Sequence, residues 1–466
     1  MQVFTVEFGH IAIEIQLPDG TERLAMSTPT PIARPKEAIL EAMNNPIGSP
    51  GLTEIIASKE KPVEDLKAVV VISDNTRPVP YTEQSGILMP IIDALIKLGV
   101  EPRHMTVLVA TGTHRVLSQP ELESMLDPSV FNRAVRIVCH DCKDESNLKF
   151  LGTTARGTKV FINRLYIESD VKILTGLVES HFMAGASGGR KAICPGLIGE
   201  DSTYIFHGPE FLSSPCASDL ILQGNPCHEE SLEVAKMAGA DFIVNVTLDD
   251  ALRLTGVYAG DLEAAHLKAV ERIREYVTIP LEQEYDIVVT HAGFVGINHY
   301  QLAKAGVVAI PALKPGGKLI MAANCTDEDP VGSLYYRTLI HLLTLNGPEN
   351  FMRLITSETW NFIPEQWQVQ MWTKVFSKIP MENFTYCAPH IPRKDAAILP
   401  GRDGNLLLPA HRRYSGNITD AKDMVELAVA EAVREYNAVG IEPSIAFLKD
   451  GPYGIPVPIR TFKHLS

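Results

Sequence analysis

Hydrophobic positions along the chain fall into short continuous runs separated by stretches of helical spacing, and several of the runs empty into polar loops. Residues 68–73 (AVVVIS), 105–110, 136–139 and 171–174 are apolar runs four to six residues long. Runs of this kind suit strands covered on both faces of a parallel sheet. Between them, 86–98 places Leu88, Ile91, Ile92, Leu95 and Ile96 on one helical face, and 121–126 predicts a further helical link. Alternation of strand and helix predicts a parallel, doubly wound α/β sheet, in which ligands sit beyond the carboxyl ends of the strands. Three polar loops follow three of these strands, at 74–77, 111–115 and 176–191, so their convergence on one crevice is expected.

Other patterns extend this picture. Residues 3–17 alternate as two strands joined near Gly9-His10, and Pro35–Asn44 predicts a helix with proline in its first turn. Residues 242–246 and 252–257 predict an antiparallel hairpin, followed by a helix over 262–276. The segment 279–284 carries a proline and charges and is where a domain boundary is expected. A second α/β layer restarts with a strand at 286–290, a helix at 299–305, a strand at 318–323, a strand at 401–408 and a helix at 420–436. The expected organisation is a domain over 1–278, a smaller α/β domain over 284–440, and a Pro- and Gly-rich tail at 441–466 that lies over the body.

The chain is 466 residues long, more than a single core usually supports, which favours two domains. A formal charge of -14 argues against a nucleic-acid partner, whose footprint would be basic. The N-terminus lacks the basic and apolar regions of a signal peptide, and no run of 18 apolar residues predicts a membrane span. Seven scattered cysteines, an odd number, do not form a disulfide framework and point to thiols in a reducing cytoplasm. Cys139 and Cys142 flank His140-Asp141 without a second Cys-x-x-Cys pair to close a zinc site. His140 and the 228–230 cluster therefore read as structural.

The stretch 171–207 concentrates the chemistry. It joins an apolar strand to His181, a glycine-rich turn with Arg190 and Lys191, a Cys-Pro-Gly stop and His207. Glycines let a backbone approach a phosphorylated ligand, and the backbone amides supply donors. An NTPase P-loop is excluded: counting from Gly185, the second glycine position is Arg190, and Ala192 stands where the magnesium-binding hydroxyl belongs. A surface loop with ordinary basic residues is the plain alternative.

Several separated segments together resemble the nickel-pincer lactate racemase family. They are SDNTRPVP at 73–80, ATGTHR at 110–115, the segment from His181 through GGRKAICPG to His207, YQLAKA at 300–305 and the DGPYGIPV tail. The resemblance covers essentially the whole chain. It implies a nickel cofactor, a pyridinium-3,5-bisthiocarboxylic acid mononucleotide, joined to Lys191 by a thioamide, with His207 as the protein's ligand to nickel. Imidazole and a tetragonal shell suit Ni(II). It also implies racemisation at C2 of a 2-hydroxy acid by hydride transfer through a 2-keto acid, with His114 and His181 as the two acid/bases. Histidine can take and return a proton near neutral pH.

By the same resemblance Asp74, Asn75, Thr76, Arg77, Gly188 and Gly189 line the cofactor, and Arg77 also holds the substrate carboxylate through a planar fork. Tyr300, Gln301 and Lys304 resemble substrate contacts from the second domain. Trp367 either walls the site or packs as a core tryptophan. Partners implied are a small 2-hydroxy acid and the enzymes that make and load the cofactor. Domain closure over the crevice accords with contacts beyond the boundary.

Before YQ the family often shows Gly-Gly-aromatic-Pro-x-Asp, whereas this chain reads HAGFVGINHYQ, with His291 and His299 added. That departure leaves the acid open among lactate, larger aliphatic or aromatic acids, and aldonates. Two rival functions remain: a cofactor-binding protein without turnover, and a nicotinamide-dependent 2-hydroxy acid dehydrogenase. The dehydrogenase would need G-x-G-x-x-G after the first strand, and neither ATGTHR nor GASGGRK fits. The carrier would need Lys191 and His207 but no proton shuttles.

Overall fold

The computed structural model describes residues 1–82 and 85–459. They form two compact units, one of Thr28–Glu275 and one that joins Met1–Ser27 to the chain from Tyr276 onward. The architecture is mixed α/β, dominated by parallel sheets.

In the Thr28–Glu275 unit a six-stranded sheet runs in the order 254–260, 242–248, 171–177, 68–73, 105–110, 136–139. All neighbours are parallel except the 242–248/254–260 hairpin. The strands are buried on both faces, and on one of them Val70, Ile72, Val107, Val109 and Ile173 pack with Leu88, Ile91, Ile92 and Leu95 of the helix Leu88–Lys97. The chain enters the middle of the sheet at Ala68–Ser73, builds outward to one edge, then returns beside its starting strand with Val171–Leu177. This reversal of strand order is the topological switch point, where sheets of this kind take their ligands, outside the carboxyl ends of the two strands. The loops that begin at Asp74 and Val178 start there.

The other unit holds a second six-stranded parallel sheet, in the order 402–403, 384–387, 313–322, 285–291, 445–448, 22–24. Here the sequence expectation is corrected. Residues 1–27 belong with this unit, because Glu22–Leu24 supplies its edge strand against Ile445–Leu448 and the hairpin Gln2–Phe8/Ile11–Leu17 buries Phe4, Val6, Phe8, Ile15 and Leu17 in its core. Local periodicity cannot reveal a partner so far along the chain. The tail is likewise part of the body: Ile445–Leu448 is buried inside the sheet, and Ile455–Pro458 pairs with Thr278–Leu281. Residues 460–466 of the expected tail lie outside the described residues. The 401–408 strand reduces to Arg402–Asp403, after which Asp403 accepts the Asn405 N–H at 2.9 Å and turns the chain into a short helical segment.

Phe447 is fully buried and packs its ring 5.0 Å from Phe4, tying the last strand to the first. Phe447→Ala should destabilise this unit by about 3–5 kcal/mol, measured by chemical denaturation, with hydrogen-exchange protection lost in 2–24 together with 285–291.

Candidate active site

At the switch point, Ser73 leads into a loop fixed from below. Ser73 N–H donates to the buried Tyr81 hydroxyl at 2.8 Å, and that hydroxyl lies 2.8 Å from Thr175 Oγ1 on the neighbouring strand. Asp74 follows and is buried. Its Oδ1 accepts Thr76 N–H at 3.1 Å and Thr76 Oγ1–H at 2.6 Å, while its Oδ2 lies 2.6 Å from His114 Nδ1. Burial works to raise the Asp74 carboxyl, but the hydrogen bond and charge of His114, with the Thr76 donors, outweigh it and leave the carboxyl below its ordinary range. The residue expected against the cofactor thus pairs with a candidate acid/base, and the loops at 74–77 and 111–115 meet. Asn75, by contrast, is exposed and turns to Glu121 at 3.3 Å. Arg77 caps its own loop through Thr76 O at 3.0 Å.

The 111–115 loop is also tied to the lysine turn, since Gly112 N–H donates to Gly196 O at 3.0 Å. The turn itself is set by two glycines. Gly188 (φ 72°) and Gly189 (φ 51°) adopt left-handed conformations, and an added Cβ would fall 2.7 Å from Val178 and from His266 respectively. Gly189 N–H is held at 2.8 Å by Asn245 Oδ1, a fully buried amide in the middle of the strand Phe242–Leu248. Sequence reading passed over Asn245, although one amide in the buried run FIVNVTL is a signal: a polar group placed there must have a partner.

From this turn Arg190 runs inward and Lys191 toward the loops. The Arg190 guanidinium is buried, donates to Ala184 O at 2.8 Å and lies 3.1 Å from His266 Nε2. Burial pushes it down to about 9. Burial, then the charges of Arg190 and Arg77, push Lys191 down to about 7, so its amine is substantially neutral at physiological pH. Lys191 Nζ lies 3.2 Å from His181 Nε2, and the other ring nitrogen, Nδ1, accepts the N–H groups of Met183 and Ala184 at 3.2 Å each. His207 ends the helix Glu200–Phe206, half-buried with its ring 4.0 Å from Phe206. Burial, with the charge of Lys191, pushes it down to about 3, which keeps its imidazole neutral and suited to ligate a metal.

The chain matches the family profile of the lactate racemase N-terminal domain over residues 8–218 and that of the C-terminal domain over 281–385. It is 30% identical to the lactate racemase of Thermoanaerobacterium thermosaccharolyticum over 410 residues, 84% of this chain and 92% of that protein. The chain belongs to the lactate racemase family. A second member, the lactate racemase of Lactiplantibacillus plantarum, is 32% identical over 342 residues, 73% of this chain and 77% of that one. The lactate racemase apoprotein structure from T. thermosaccharolyticum superposes with a TM-score of 0.81 at 26% identity, covering 98% of this chain and 100% of that one. A Thermotoga maritima protein shares the fold alone, with a TM-score of 0.62 at 16% identity, covering 91% of this chain and 99% of that one.

The remaining expected contacts of this family member lie in the second unit, on two packed helices. Trp367 Nε1 donates to Tyr300 Oη at 3.0 Å, and Gln368 Nε2 donates to Tyr300 O at 2.7 Å. Gln301 Oε1 is buried and has no hydrogen-bond partner among the described residues. Lys304 sits one turn further along the same helix, His299–Ala309. Of the two additional histidines, His299 is fully buried, meets Tyr336 Oη at 2.8 Å and stacks on Trp372, while His291 is buried with Nε2 2.7 Å from Lys449 O. Both are framework residues. The Cys139–Cys142 segment is structural too: His140 is buried between Ile198 O at 3.0 Å and Asn163 Nδ2 at 3.1 Å.

Because Lys191 is pushed down to about 7, it should react with an amine-acylating reagent half-maximally near that pH, deprotonated and reactive above it and protected below. Exposed lysines titrate near ~10.4. Peptide mapping of protein pulsed with reagent from pH 6 to 10 gives the comparison, and Asn245→Ala, by freeing the turn, should move Lys191 toward the ordinary profile.

Proposed function

We propose that this protein is a 2-hydroxy acid racemase, with lactate the first candidate, that inverts C2 by hydride transfer through a 2-keto acid. The observation that carries this reading is the arrangement at the switch point: two histidines on different loops, one paired with a carboxylate and one beside a neutral lysine amine. The carrier alternative has no use for the Asp74–His114 pair, and the loop after Ala68–Ser73 has no glycine fingerprint for a nicotinamide dinucleotide. The two named relatives are lactate racemases over most of their length.

The residues fit the family's nickel-pincer nucleotide. A neutral amine at Lys191 is the form that can become an amide nitrogen. A neutral imidazole at His207 is the form that binds nickel, and the cofactor asks for a single protein ligand. Gly188 and Gly189 give the positive-φ turn that presents Lys191, packed too closely on Val178 and His266 for any side chain. When bound, the group supplies a hydride acceptor that spares the substrate a carbanion at C2. The chain's own residues do the rest. Arg77, whose charge is felt at Lys191, orients the substrate carboxylate, and His114 and His181 exchange the hydroxyl proton. By the same family resemblance, Tyr300, Gln301, Lys304 and Trp367 are the substrate contacts of the second unit. The HAGFVGINHYQ segment, which builds the start of that helix, is where acid selectivity is set. Enzymes that make and load the cofactor are the implied partners, and seven free thiols suit a reducing cytoplasm.

Chain co-expressed with cofactor-making enzymes should gain one adduct mass and about one nickel, both absent in Lys191→Ala, and should erode the optical purity of D- or L-lactate. His114→Gln and His181→Gln should keep the adduct and lose racemisation by roughly 10²–10⁴-fold. An unmodified, nickel-free mass in a host that loads a relative would overturn the assignment.

A further inference from the structure

Neither candidate acid/base carries an observed hydrogen, yet the partners of each decide where its proton resides. A carboxylate can only accept, and both Asp74 oxygens are in use: Oδ1 takes the two Thr76 donors, and Oδ2 faces His114 Nδ1 at 2.6 Å. The proton of a neutral His114 is therefore on Nδ1, and its Nε2 is a bare lone pair. Backbone amides can only donate. His181 Nδ1 faces two of them, from Met183 and Ala184, at 3.2 Å each. Those two donors place its proton on Nε2, which lies 3.2 Å from Lys191 Nζ. The amides cannot easily retreat, because they belong to the tight turn between the paired strands Ser180–His181 and Gly185–Ala186. The Asp74 carboxylate is equally fixed, with its side chain only 4% exposed.

We propose that Asp74 is the positioning residue of an asymmetric site, in which the two histidines are held in opposite tautomers and only His114 is ready to act as a base. This rests on the racemase reading for its substrate, not for its geometry. From the free enzyme, the hydroxyl O–H bond breaks and its proton bonds to His114 Nε2. The oxygen electron pair forms the C=O bond as hydride leaves C2 with its own pair to the bound acceptor. Asp74 then faces the resulting imidazolium through the same Nδ1–H. His181 in its held tautomer has no lone pair at Nε2. It becomes a base for the opposite enantiomer only after its proton is moved and both amide contacts are given up. The chain is thus poised for one enantiomer, and His181 must be reset before it takes the other.

The test is nitrogen-15 NMR of the full chain labelled at histidine, without cofactor or substrate, at pH 8. Resonances are assigned from His114→Gln and His181→Gln. A protonated Nδ1 and bare Nε2 at His114, with the reverse at His181, is the expected result. Asp74→Asn keeps an oxygen for Thr76 but can turn an N–H toward His114, and should invert the His114 tautomer while leaving His181 unchanged. In the loaded enzyme it should lower racemisation by about 10²-fold or more, as a wrong tautomer does in other carboxylate–histidine pairs. A proton on His114 Nε2 in the parent chain, matching tautomers at the two sites, or an Asp74→Asn spectrum identical at His114 would each overturn the proposal. Failure of the racemase reading would show separately, as unchanged lactate beside the expected tautomers.

Discussion

A buried amide anchors the start of the lysine turn. Gly189 N–H meets Asn245 Oδ1 inside a buried, mostly apolar strand. An unpaired donor at that depth costs about 1–3 kcal/mol, so the turn has one satisfied position. That position requires left-handed backbone at Gly188 and Gly189, which sends Arg190 into the interior and Lys191 to His181. The orientation of the candidate chemistry follows from one hydrogen bond and two missing Cβ atoms.

The electrostatics follow from where the turn sends its basic residues. No carboxylate forms an ion pair with the buried Arg190 guanidinium among the described residues, so its field acts on its neighbours instead of being cancelled. Lys191 and His207 both favour their neutral forms, while Asp74 remains ionised beside His114. An amine, an imidazole and a carboxylate drawn from different loops are each kept in the protonation state their proposed chemistry needs, and the means in each case is burial or a specific partner.

Much of the Thr28–Glu275 sheet was legible because parallel strands covered on both faces announce themselves as apolar runs. Ala68–Ser73, Met105–Ala110 and Arg136–Cys139 match their expected limits. His114, His181, Lys191 and His207 stood out as chemistry-bearing residues in glycine-rich company. What was not legible depends on distant partners. The hairpin Leu148–Thr153/Lys159–Asn163 carries a bulge that disturbs its alternation, and the helix Leu334–Ile355 is interrupted at Gly347-Pro348. The pairing of Asp74 with His114 could be seen only once two strand ends were adjacent. Asn245 and His266 have no motif at all, since their importance lies in what they touch.

The edge strand Glu22–Leu24 needs a neighbour, Ile445–Leu448, that is made only after the whole of Thr28–Glu275. Met26 N–H, just beyond it, donates to Asp450 across 424 residues of chain. The whole of Thr28–Glu275 is synthesised between these partners, with its contacts internal to itself. On the ribosome that middle segment can close its own core while the first 27 residues wait, their alternating apolar faces unmatched, until the final strand emerges. The amino-terminal hairpin is therefore open to wrong pairing for as long as the intervening segment takes to synthesise.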